Sequence, residues 1–80
     1  MGKYDPLYRH LTACGRERVQ MTFAEIEAVL GAKLPNSAYH YRPWWGDHHS
    51  HVQSRAWHDA GYRIECVQPG DTVVFRKERT

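Results

Sequence analysis

Leu7, Leu11 and Cys14 recur with the period of one helix face. Asp5 is placed to cap that helix, Pro6 fits its first turn where a missing N–H costs nothing, and Gly15 stops it. Val19 and Met21 alternate with Gln20 as a very short strand. The segment Thr22-Phe23-Ala24-Glu25 is a capping box, flanked by Met21 and Ile26 at the hydrophobic-staple positions, so a second helix starts at Thr22. Its expected buried stripe is Phe23, Ile26, Val29 and Leu30, with Glu25 and Glu27 facing water, and Gly31 ends it.

Asn36 or Ser37 is expected to cap a short aromatic third helix carrying Tyr39 and Tyr41, which Pro43 must end. Pro43-Trp44-Trp45-Gly46-Asp47 is expected as a turn, and Ser50 as the cap of a fourth helix running from Val52 to Ala60 and stopped by Gly61. On that helix Val52, Ala56 and Ala60 are expected inward, with Trp57 at their edge. His51, Ser54, Arg55 and His58 are expected outward, with Gln53 near the rim. From Tyr62 the period changes to two: Tyr62, Ile64 and Cys66 alternate with polar residues, Pro69-Gly70-Asp71 turns, and Val73 and Phe75 return as a hairpin with a charged tail from Arg76 to Thr80.

Three or four short helices, a short strand and a C-terminal β-hairpin, in that order, predict an α+β fold with the connectivity of a small winged helix-turn-helix. Such folds lay the helix before the hairpin in the major groove and use the hairpin on neighbouring phosphates. The expected base-facing residues are therefore His51, Gln53, Ser54, Arg55 and His58, since Arg and Gln can grip guanine and adenine edges with two hydrogen bonds. Arg63, Arg76 and Lys77 on the hairpin are expected to touch phosphates. The insertion of Pro43-Trp44-Trp45-Gly46 between the third and fourth helices departs from the usual single recognition helix. A polar helix face can also be no more than a solvated one.

The composition narrows the field. The chain has 80 residues, with Lys+Arg 11 against Asp+Glu 9, a net charge of +2 and 41% hydrophobic residues. That describes a single domain, residues 1–80, with little room for a catalytic pocket. Basic and acidic residues are scattered, so any contact with nucleic acid must come from local placement and not from bulk charge. No run approaches the roughly 18 apolar residues of a membrane span, and the first residues lack the apolar stretch of a signal peptide, so a cytoplasmic setting without membrane partners is expected. Cys14 and Cys66, far apart and without CxxC spacing, are expected as buried small hydrophobes and not as a disulfide.

The remaining chemistry is sparse. Trp44 and Trp57 are expected in an aromatic core with Tyr62. Trp45 stands evenly between core and surface; exposed beside Arg42 and His48, it would stack on an unpaired base or anchor a protein. Tyr39, Tyr41, Trp45, His48 and His49 are thus the candidate surface of a protein-interaction module, the alternative to double-stranded DNA as partner. His49-x-His51 or His48-x-x-His51 supplies one zinc-like pair but the second pair is missing, so no metal or cofactor is expected. No glycine-rich elbow, phosphate loop or spaced carboxylate pair points to catalysis. Monomer and homodimer both stay open.

The segments Tyr4-Asp5-Pro6-Leu7-Tyr8, Thr22-Phe23-x-Glu25-Ile26-Glu27-x-Val29-Leu30-Gly31, Leu34-Pro35-x-Ser37-Ala38, Trp44-Trp45, Gln53-x-x-Ala56-Trp57-x-x-Ala60-Gly61-Tyr62 and Val73-x-Phe75 run almost end to end. In them the chain resembles a small bacterial and phage domain of uncharacterised function. The resemblance implies no activity. Asp47-His48-His49 departs from it, standing where asparagine-rich polar residues are expected.

Overall fold

The computed structural model describes residues 2–46 and 52–78. Four helices and three strands follow in the order α1 (Asp5–Cys14), β1 (Arg18–Thr22), α2 (Phe23–Leu30), α3 (Asn36–His40), a 3-10 turn (Arg42–Trp45), α4 (Val52–Asp59), β2 (Tyr62–Gln68) and β3 (Thr72–Lys77). The strands form one antiparallel sheet in the order β1-β3-β2, so β1 closes on the last strand and ties the two ends of the fold together. The result is a small α+β fold.

Local chemistry explains most boundaries. Thr22 accepts from the Glu25 amide (3.0 Å) while the Glu25 carboxylate accepts from the Thr22 amide (2.8 Å), the reciprocal capping box expected there. Met21 and Ile26 beside it are both buried. Gly15 and Gly31 close α1 and α2 in the left-handed region, at φ 63° and 72°, where a side chain would be strained. Two caps differ from expectation. Asp5 is the first residue of α1 and Tyr4 stands at the cap, while Pro35 and not Asn36 or Ser37 occupies the cap of α3; neither position makes a side-chain capping bond. Proline sets its own φ near the required value, which lets it replace a hydrogen-bonded cap.

The core lies between the helices and the inner face of the sheet. Leu7, Leu11, Phe23, Ile26, Val73, Phe75 and Trp57 are all essentially inaccessible. Trp45 stacks on Trp57 at 5.7 Å between ring centres and Trp57 meets Phe75 at 5.9 Å, so one aromatic column links the 3-10 turn, α4 and β3. The expected exchange of roles between the paired tryptophans is reversed: Trp45 is 3% exposed and donates its Nε1–H to the Ala38 carbonyl, whereas Trp44 is half-buried against Tyr4. Glu27, expected in water, instead accepts from the Leu34 amide (2.9 Å) and the Tyr39 hydroxyl (2.6 Å), clasping α2 to α3.

Cys66 is a second correction. In β2, Ile64 pairs with Phe75 and Cys66 with the next residue, Val74, so Glu65 is an extra residue bulged out of the ladder. A one-residue insertion inverts the alternation beyond it. Val67 therefore turns inward and Cys66 is exposed, while Cys14 is half-buried; both cysteines are free. Arg76 and Lys77, expected in a tail, are the last residues of β3. Among the described residues no helix is long and apolar enough to cross a membrane.

Candidate nucleic-acid interface

The side chains of α4 are set by its two large buried residues. Trp57 and Ser54, both 0% exposed, and Ala56 face the core, with Gln53 and Ala60 at the margin. The inward stripe is therefore rotated from the one expected from Val52, Ala56 and Ala60, because burying an indole removes far more apolar surface from water than burying a valine. Val52 is left 66% exposed. Ser54 is buried and His58 half-buried, so neither stands on the outward face where the sequence placed it. Gln53 donates from Nε2 to the Trp44 carbonyl (3.2 Å), which fixes the 3-10 turn to α4. His48, His49, Ser50 and His51 lie outside the described residues.

What faces out is Val52, Arg55 and Asp59, at i, i+3 and i+7 on one side of the helix. They border a groove of about 540 Å³ whose opposite wall comes from Gly2, Tyr4, Asp5 and Tyr8 of α1 and its approach. Arg55 forms no hydrogen bond or ion pair with any described residue, and neither does Asp59. They are one turn apart without pairing, in the order, base before acid, that favours an i, i+4 pair least. The groove thus offers a free guanidinium, an exposed methyl pair on Val52, and carboxylates at Asp5 and Asp59.

The hairpin bases stand elsewhere. In the register, Arg63 lies opposite Arg76 and Arg76 opposite Arg18, a row of three arginines across the sheet. These positions alternate with Ile64, Phe75 and Val19, which point toward the helices, so the row projects from the face opposite α4. The bulge sends Glu65 over it: its two oxygens take Arg18 (2.9 Å) and Arg76 (2.8 Å), and Arg63 meets Glu78 at 3.5 Å. The Arg76 hydrogen bond, helped by the Arg18 charge, holds the Glu65 carboxyl below its ordinary range, and Glu65 raises Arg76 in return. Arg42, exposed, donates to the Val67 carbonyl (3.1 Å) and secures the turn to β2. Lys77 is exposed at the strand end. The loop joining β2 to β3 does not project; the Asp71 carbonyl accepts from the Phe23 amide (2.8 Å) and Gly70 packs against Tyr39.

The structure therefore separates the expected contacts. Arg55 stands alone on the α4 side, Arg63 and Arg76 lie on the opposite face, and Gln53, Ser54 and Arg42 serve packing. The alternative aromatic surface is not assembled: Trp45 is core, Tyr39 is half-buried against Phe23 and bonded to Glu27, and Tyr41 alone is freely exposed, at 60%. Among the described residues no three His, Cys, Asp or Glu side chains are grouped to hold a metal. Sequence reading missed Val52, Asp59 and Tyr8 on the groove and Arg18 and Glu65 on the sheet. The adjacency of Ser54, Ala56 and Trp57 carried the phase of α4, whereas nothing local marked the bulge.

A family model described as a domain of unknown function, DUF7662, matches residues 4–79. No curated protein and no solved structure matches the chain.

Proposed function

The chain belongs to the DUF7662 family of domains of unknown function, and from its geometry we propose that it is a non-enzymatic nucleic-acid-binding module of winged-helix type, a small regulator or DNA-targeting domain. The observation that carries this reading is the position of α4. It directly precedes the β2–β3 hairpin of a β1-β3-β2 sheet, the place of a recognition helix, and it presents Arg55 without a described partner. An arginine free of internal acceptors has its full fork available to guanine or phosphate.

The hairpin's part is support. Phe75 on β3 backs Trp57 of α4, which fixes the depth and rotation of the helix that enters the groove. With a net charge of +2, the phosphate-driven share of binding is small and salt-sensitive. Fluorescence anisotropy with a labelled duplex at low salt tests the proposal. Binding that weakens steeply with added salt and falls in Arg55→Ala supports it. No binding with protein on the order of 100 µM, at the weak end of non-specific association, or binding indifferent to Arg55→Ala, contradicts it.

A further inference from the structure

We infer that the outward stripe of α4 reads three base pairs, with Val52 against a thymine methyl, Arg55 on a guanine and Asp59 on the amino group of a cytosine; this rests on the nucleic-acid reading proposed above. Each of the three side chains is unexplained by the fold. Val52 leaves two-thirds of its surface in water on a helix whose inward stripe is complete without it. Arg55 lies between the Asp5 and Asp59 sides of the groove and pairs with neither. Asp59 places a carboxylate where a polyanion would approach, a cost that is offset only where it accepts a hydrogen bond.

The major groove supplies partners for these chemistries. Thymine offers a C5 methyl to an apolar side chain, guanine O6 and N7 accept two hydrogen bonds from one arginine fork, and cytosine N4 donates to a carboxylate. The spacing fits as well. Along the helix axis Val52 and Arg55 are about 4.5 Å apart and Arg55 and Asp59 about 6 Å, against about 3.4 Å per base pair. A helix lying along the groove therefore meets the thymine about one step from the guanine, and the cytosine one to two steps beyond it on the other side. Tyr8 and Asp5 face the same groove from α1. Neither lies on α4, so Asp5 repels phosphates without reading a base.

Selection from a randomised duplex pool, run with the wild type and with Val52→Ser, Arg55→Ala and Asp59→Asn, tests this. The wild type should enrich a guanine flanked by thymine on one side and cytosine on the other, each preferred over a substituted base about fivefold to a hundredfold. Asp59→Asn should move the cytosine preference to adenine, whose N6 and N7 suit an amide. Val52→Ser should lose the thymine preference alone, and Arg55→Ala the guanine. Asp5→Asn should tighten every duplex without changing which is preferred. Binding that needs Arg55 yet enriches no such site, or an unchanged preference in Asp59→Asn, overturns the base reader and leaves the binding module standing. Absence of duplex binding by the wild type overturns both.

Discussion

Two faces of this domain carry arginine, and they differ in what the arginines already hold. On the outer face of the sheet Arg18, Arg63 and Arg76 form a row, yet Glu65 and Glu78 occupy them. On α4 there is one arginine, and no described side chain occupies it. The richer face is thus the poorer candidate, because a guanidinium already bonded to a carboxylate must break that bond before it can take a phosphate or a base. Free donors, and not basic residues as such, mark the α4 side. The bulge in β2 creates the contrast, since without the extra residue the Glu65 side chain would sit at the alternation of its neighbours and not across the arginine row.

The change with the largest expected effect removes the element that joins the faces. Trp57 stacks between Trp45 and Phe75 at 0% exposure, and Trp57→Ala should cost about 3–5 kcal/mol. That is a large share of what a domain of this size has; urea denaturation should show the midpoint collapse, whereas a small shift would mean that α4 is held by other contacts. Next comes the pair Arg55→Ala and Arg76→Ala. The first should weaken duplex binding by about 1–3 kcal/mol and the second should leave it nearly unchanged, as read by anisotropy at fixed salt. Equal losses would dissolve the distinction between the faces.

A smaller effect sharpens it. Glu65→Gln should release Arg18 and Arg76, turning the sheet face into a non-specific phosphate surface. Its binding should be tighter at low salt, with a steeper dependence of log K on log salt, while base preference stays that of the wild type. The smallest effect concerns acid. The Tyr39 hydroxyl, then the Leu34 amide, hold the Glu27 carboxyl below its ordinary range. A lowered folded-state value stabilises the fold above the ordinary carboxylate range, and this contribution is lost as pH falls through the folded value. The melting temperature of the wild type should therefore drop on acidification more than that of Glu27→Gln, with the two converging at low pH.

The helix starts and stops were legible because their determinants are local. Thr22 and Glu25 define a start three residues apart, Gly15 and Gly31 define stops by backbone geometry, and the hairpin declares itself through Pro69-Gly70-Asp71. The site was less legible because its determinants are not local. Which tryptophan of Trp44-Trp45 enters the core depends on Ala38 and Trp57, which lie in other elements. The phase of α4 is set by how deeply Trp57 sits on Phe75, and a valine followed at i+4 by alanine imitates an inward stripe that the indole overrides. The bulge at Glu65 has no glycine or proline to announce it and is visible only through its partner strand.

The most direct test of the central claim, that the free arginine of α4 and not the occupied arginine row meets nucleic acid, is a two-dimensional amide NMR titration of labelled protein with a short duplex. The amides of residues 52–59 and the Arg55 side chain should shift with a common midpoint while those of Arg18, Gln20, Arg63 and Arg76 stay in place. Shifts confined to the sheet residues, with α4 unmoved, would contradict the account.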